Sequence, residues 1–206
     1  SDVRNALIEL KKDPRVKSIV LDLRGNRGGL LEAAVKIVGL FVPKNTEVLR
    51  TRGKGLLNEK VYKTTSAPVD TQIPLAVFID GGSASSSEIT AGALQDLDRA
   101  VIIGNRSFGK GLVQQPIDFS DGSAIRLTIA RYYTPSGRCI QRPYENGKDS
   151  KYEMDWITRY EHGEFFSKDS IKLDENLRYS TGLGRPVYGG GGIMPDVFVP
   201  QDTTGV

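Results

Sequence analysis

The residues of this chain able to do chemistry sit in glycine-rich stretches. In Gly81-Gly82-Ser83-Ala84-Ser85-Ser86-Ser87-Glu88-Ile89, hydroxyls fall where an apolar strand gives way to a helix. A helix start presents unpaired N–H groups and the positive end of the dipole, so a nucleophilic oxygen and an oxyanion are both stabilised there. The same residues fit a plainer use, a serine N-cap with Glu88 completing a capping box. Neighbouring serines can divide the two roles. A second stretch, Gly104-Asn105-Arg106-Ser107-Phe108-Gly109-Lys110-Gly111, sets a lysine between two glycines. A third, Gly25-Asn26-Arg27-Gly28-Gly29, offers backbone N–H groups that Cβ atoms do not obstruct.

The lysine stretch fits the spacing of a phosphate-binding loop, and two features argue against that use. The magnesium-holding Ser or Thr is replaced by Gly111, and Leu112-Val113-Gln114-Gln115-Pro116-Ile117 reads as a strand where a helix is required. Lys110 could lie on the surface, the default for lysine. It could also act as a general base. A Ser–His–Asp triad is disfavoured because the only histidine, His162, sits in the charged run Arg159-Tyr160-Glu161-His162-Gly163-Glu164. A serine hydrolase built from this sequence needs another base, and lysine is the known substitute. A lysine serves near neutral pH only if its amine sheds its charge, which burial in an apolar pocket achieves. Phe108 and Val113 are the local residues expected to wall that pocket.

These loops need a scaffold. Val3, Ala6, Leu7 and Leu10 predict an amphipathic helix over 2–12, and 18–23 reads as a buried strand. The turn at 24–29 hands over to a helix over 30–42, closed by Pro43, and the polar stretch after it reads as irregular. A second apolar strand covers 74–79, a helix runs over 86–98, and 101–103 is a third strand. Residues 123–133 alternate, with Ile125, Leu127 and Ile129 on one face and Arg126 and Thr128 on the other, as in a half-exposed strand. Residues 145–185 read as a peripheral insertion or loop region with a helix near 152–160, and 197–199 is a last apolar segment. Strand, turn, helix and strand in succession predict an α/β fold with a largely parallel central sheet and helices packed on it. In such a sheet, functional groups gather where strands end and helices begin.

Bulk properties narrow the partners. At 206 residues the chain suits one domain, and a net charge of +3 without a basic, aromatic-interleaved stripe points away from nucleic acid. No apolar run approaches the ~20 residues that span a bilayer. The lone Cys139 rules out an internal disulfide and reads as a packing residue.

Taken together, the Gly82–Ile89 run, Phe108-Gly109-Lys110-Gly111-Leu112-Val113-Gln114 and Asp22-Leu23-Arg24-Gly25-Asn26-Arg27-Gly28-Gly29 resemble the carboxyl-terminal processing peptidases, also called tail-specific proteases. Tyr188-Gly189-Gly190-Gly191-Gly192-Ile193-Met194-Pro195-Asp196 resembles a segment of the same family. The resemblance implies a crotonase/ClpP-like catalytic core, with the whole chain as peptidase core and the family's PDZ-like domain absent. It further implies that a strand expected before Ser1 is missing. It gives Ser85 the nucleophile's place, Lys110 the base's, Gln114 the orientation of the lysine amine, and the backbone N–H groups of Gly28 and Ser86 the oxyanion hole. Where the family often has alanine, this chain has Ser86, a rival nucleophile. The implied substrates are polypeptides with apolar C-terminal tails, the implied location is the periplasm or cell envelope, and no metal or cofactor is implied. Two other readings stay open: a catalytically silent peptide- or acyl-binding module of the same fold, and a crotonase-like acyl-CoA enzyme that has no need of Lys110.

Overall fold

The computed structural model describes residues 2–54, 59–144, 152 and 154–202. In chain order the elements are α1 (Asp2–Leu10), β1 (Ile19–Asp22), α2 (Leu31–Val38), β2 (Glu47–Gly53), β3 (Glu59–Lys63), β4 (Leu75–Ile79), α3 (Ser86–Asp96), β5 (Val101–Gly104), β6 (Leu112–Asp118), β7 (Ala124–Tyr133), α4 (Asp155–Glu161), β8 (Arg178–Ser180), β9 (Pro186–Tyr188) and β10 (Val197–Phe198). Short 3₁₀ turns occupy Lys168–Ser170 and Glu175–Leu177.

The continuous apolar runs at β1, β4 and β5 build the expected parallel sheet, in the order β1-β4-β5-β10. Leu21 lies beside Val77, and Val77 beside Ile102. Val77 and Ile102 are fully buried, as strands covered on both faces require. The mixed α/β class with a parallel sheet is therefore the one read from the sequence. Each parallel strand needs a crossover connection, and α2 and α3 supply helical ones.

A second, antiparallel sheet has the order β3-β2-β7-β6. β2 and β3 lie in the stretch that reads as irregular. Their charges are the reason: Arg50 pairs with Glu47 and Glu59, and Arg52 with Glu59, so charged side chains dominate the hairpin while Val48 and Leu49 enter the core and Tyr62 packs against it. Expected boundaries shift as well. α2 stops at Val38, Gly39 caps it, and Leu40, Phe41 and Val42 are buried in the turn that follows. Beyond Val113 the β6–β7 hairpin is largely exposed, including Ile117, Ile125, Leu127 and Ile129.

Helix α3 is buried from Ser87 to Asp96. The polar residues at its far end are paired inside the protein: the Arg138 guanidinium donates to Gln95 Oε1 and Asp96 Oδ1, with no exposure of either charged side chain. A buried charge held this way is tolerated because it faces an opposite charge and its terminal nitrogens are hydrogen-bonded. The near end of α3, aimed at the carboxyl edge of the parallel sheet, is where the chemistry gathers.

Candidate active site

At the ends of β1 and β4 the chain makes turns that are tied together. Asp80, the residue after β4, accepts from the amides of Gly25 and Gly82 at 2.9 Å each, so one carboxylate oxygen joins the Gly25–Gly29 stretch to the Gly81–Ile89 stretch. Asn26 extends the seam. Its carbonyl accepts the Ala84 amide, and its Oδ1 accepts from the Ser87 hydroxyl and the Gly28 amide.

The serines do divide their roles. Ser83 is fully buried and donates to the Leu23 carbonyl, and Ser87 is buried against Asn26. Both hydroxyls hold the loops together. Ser85 and Ser86 remain half-buried at the helix start. Ser85 has φ +57° and ψ −117°, a conformation that non-glycine residues adopt at a cost of order 1–3 kcal/mol. Its amide donates to Glu88 Oε2 and its carbonyl accepts the Ile89 amide, which fixes the turn. Ser86 is the first residue of α3, where a helix offers its N–H no internal acceptor. Gly28 lies directly across: a Cβ there would stand 2.6 Å from the Ala84 carbonyl oxygen and 2.8 Å from both Ser85 Cβ and the Ser86 nitrogen. The Gly28 and Ser86 backbones thus flank Ser85.

Glu88 does more than cap. Its side chain is fully buried and takes donors from two stretches of chain. Oε2 accepts the Ser85 amide at 2.9 Å and the Lys110 amide at 2.8 Å; Oε1 accepts the Ser107 hydroxyl at 2.5 Å and the Gly109 amide at 2.6 Å. Burial pushes the Glu88 carboxyl above its ordinary range, with the four donors pulling the other way. Ser85 and Lys110 share one acceptor oxygen, so their amide nitrogens are no further apart than those two bonds laid end to end. This carboxylate was legible only as half of a capping box.

The glycines around Lys110 serve close backbone approach. A Cβ on Gly111 would meet the Gln141 nitrogen at 2.7 Å, and the Gly111 amide donates to Gln141 Oε1. The Lys110 side chain is half-buried, and its carbonyl accepts the Tyr132 hydroxyl. The Phe108 ring, expected to wall the lysine, instead carries the Arg142 guanidinium 4.2 Å from its centroid, while Tyr152 covers that guanidinium at 3.9 Å. Gln114 stands exposed on β6 opposite Thr128, just past an irregularity in the ladder. Among the described residues, no hydrogen bond links the Lys110 amine to Ser85 or to Gln114. The structure therefore gathers Ser85, Ser86, Gly28 and the Lys110 loop, with Gln114 on the strand that follows that loop.

The 145–185 region reaches this loop from outside. Arg159 of α4 donates twice to the Ser107 carbonyl at 3.0 Å and once to the Gly191 carbonyl. Asp155 of the same helix pairs with Arg142, and Glu164 with Arg106. Burial, then the neighbouring Arg106 charge, pulls the Arg159 guanidinium down to about 10, still protonated at neutral pH.

A strained serine thus opens a helix and is joined through a buried carboxylate to a lysine loop at the carboxyl edge of a parallel sheet. The chain belongs to peptidase family S41, which it matches over residues 1–147. It is 46% identical over 144 residues to the carboxy-terminal-processing protease of Bartonella bacilliformis, covering 68% of this chain and 33% of that protein. It is 42% identical over 139 residues to the chloroplastic C-terminal processing peptidase of Tetradesmus obliquus, covering 29% of it. Among solved structures, a photosystem II D1 C-terminal processing protease superimposes with a TM-score of 0.66 at 29% identity, over 97% of this chain and 40% of that one. The chain spans about a third of the length of the curated relatives it matches. No helix among the described residues is long and apolar enough to cross a membrane.

Proposed function

We propose that this chain is the catalytic core of a serine endopeptidase that works with a Ser85–Lys110 dyad on polypeptides near an apolar C-terminus. In this reading Ser85 Oγ attacks the scissile carbonyl carbon and its proton passes to the uncharged Lys110 amine. The carbonyl oxygen becomes an oxyanion held by the amides of Gly28 and Ser86. Collapse breaks the C–N bond, Lys110 returns the proton to the leaving amine, and an ester on Ser85 remains. Water, deprotonated by Lys110, hydrolyses that ester. The shared Glu88 oxygen carries the proposal, since it holds the backbones of nucleophile and base together.

Two adjustments accompany catalysis. The substrate oxygen takes the Gly28 N–H from Asn26 Oδ1, which accepts it here. The Lys110 amine turns to the Ser85 hydroxyl, and Gln114 on the adjacent strand orients it. The preference for apolar tails and a periplasmic or envelope location rest on the resemblance to processing proteases.

A fluorophosphonate probe tests the nucleophile without needing the rest of the protein. Wild-type chain is expected to label at one site, Ser86→Ala at a similar rate, and Ser85→Ala not at all. Label mapped by mass spectrometry to Ser86, or undiminished in Ser85→Ala, would reject Ser85 as nucleophile.

A further inference from the structure

We propose that Arg159 is a positioning residue for the lysine loop, a guanidinium that acts through Ser107 and Glu88 to hold the Lys110 and Ser85 backbones together. The inference rests on Ser85 and Lys110 being the dyad. Arg159 lies on α4, outside the residues 1–147 that match the S41 family, and its side chain is 4% exposed. It ties two stretches of chain. Both terminal nitrogens donate to the Ser107 carbonyl at 3.0 Å, and Nη2 also donates to the Gly191 carbonyl at 3.2 Å. Those stretches meet because Gly192 has no side chain. A Cβ there would stand 2.7 Å from the Ser107 carbonyl oxygen and 2.8 Å from the Ser107 hydroxyl oxygen.

Ser107 is fixed at each of its polar groups. Its carbonyl faces Arg159, its amide donates to the Ile193 carbonyl at 3.1 Å, and its hydroxyl oxygen accepts the Ile193 amide at 2.6 Å. A hydroxyl has one proton, and here it goes to Glu88 Oε1 at 2.5 Å. Glu88 Oε2 in turn takes the Ser85 and Lys110 amides. Every link from Arg159 to the two dyad residues is therefore a hydrogen bond of 3.0 Å or less, passing only through Ser107 and Glu88. The guanidinium is itself aimed by acids, with Asp155 one turn earlier on α4 at 3.3 Å and Glu164 at 3.9 Å. The Ser107 carbonyl cannot turn away without leaving buried donors unpaired, so the peptide plane after it is locked. Without Arg159 that plane is free, the Ser107 hydroxyl leaves Glu88, and the carboxylate loses its orientation toward the two amides. The reaction scheme above does not use this residue.

Arg159→Met removes every donor and keeps a long, unbranched side chain. The expected result is amide hydrogen exchange at Gly109 and Lys110, both bonded to Glu88, about tenfold faster than in wild type. The maximal fluorophosphonate labelling rate should fall about tenfold, with half-saturating probe concentration within twofold of wild type. Arg159→Lys, which can still donate to the Ser107 carbonyl, should give intermediate values of both, and it carries the test if the methionine variant does not fold. Arg185→Met is the matched control. Arg185 pairs with Asp98 and Asp196 and donates to the Gln95 carbonyl at the far end of α3, so its loss removes the same kinds of bond. It should lower the melting temperature while leaving labelling and the exchange of Gly109 and Lys110 as in wild type. Wild-type exchange at both amides in the Arg159 variants, or equal changes in Arg185→Met, would overturn the inference. A wild-type chain that takes no label would instead remove the dyad on which it rests, whatever the exchange.

Discussion

Replacing Glu88 tests whether one carboxylate assembles the site. It is fully buried and accepts from Ser85, Ser107, Gly109 and Lys110. Glutamine keeps the shape but has one oxygen to offer. In the better orientation that oxygen replaces Oε2 and retains the Ser85 and Lys110 amides. The amide nitrogen then faces the Ser107 hydroxyl, which already accepts the Ile193 amide and loses the acceptor for its own proton, and the Gly109 N–H, which has nothing to donate to. Each buried donor without a partner costs about 1–3 kcal/mol. Removing a buried charge offsets part of this. Glu88→Gln is therefore expected to lose about 1–3 kcal/mol in urea denaturation at pH 7, with reduced fluorophosphonate labelling. Glu88→Ala leaves all four donors unpaired beside a cavity, and its loss should be clearly larger, with labelling abolished. A Glu88→Ala protein as stable as wild type and labelled at the same rate would show that the carboxylate does not hold the two loops together.

Gly28→Ala puts a methyl group into the Ala84 carbonyl oxygen and the Ser85 Cβ at a residue with φ +91°, so the 25–29 loop must retreat from Ser85, the proposed nucleophile. Labelling should fall at least tenfold, whereas Gly25→Ala, where the added atom meets open space, costs only the roughly 1–2 kcal/mol left-handed penalty and keeps its labelling. Equal labelling of the two variants would contradict the close approach. Asp70 supplies a pH signature. The Lys11 ammonium, then the Ile73 and Gln72 amides, hold its carboxyl down at about 2. A depressed carboxyl stabilises the fold above its unfolded value, near 4, and that contribution disappears as pH falls from about 4 to about 2. Asp70→Asn should flatten this part of the acid limb by about 1 kcal/mol, a modest figure because the lysine arm is 33% exposed. An unchanged acid limb would mean that the pair forms no net stabilising contact.

The parallel sheet was legible because β1, β4 and β5 read as unbroken apolar runs, the central β4 being buried or half-buried along its whole length. The antiparallel sheet was not, for two physical reasons. In β2 and β3, paired charges such as Arg50 with Glu47 and Glu59 make a well-bonded hairpin look like a polar loop. In β7, alternation correctly places Ile125, Leu127 and Ile129 on one face, but a period of two says nothing about which face is inside. The apolar face is exposed along the hairpin, and the residue that enters the site, Tyr132, belongs to the other phase.

The site divides along a similar line. Ser85, Lys110 and Gly28 stand out because glycines and serines punctuate the chain where strands end, and punctuation is local. What joins them is not local. Asp80 reaches Gly25, Asn26 reaches Ser87, Glu88 reaches Lys110, and Arg159 reaches Ser107, each between stretches that only the folded sheet brings together. Asn26 and Glu88 lie inside the glycine and serine motifs and Asp80 and Arg159 outside them, yet none has a distinctive spacing, so each one taken alone reads as a cap, a turn or a surface charge. The same observation explains why a helix of the 145–185 region bears on chemistry it does not contain. Its Arg159 fixes the carbonyl of Ser107, Ser107 donates to Glu88, and Glu88 holds the amides of Ser85 and Lys110. A strained serine turn can persist only if its surroundings over-determine it. In this molecule part of that determination comes from residues that the glycine and serine motifs do not include.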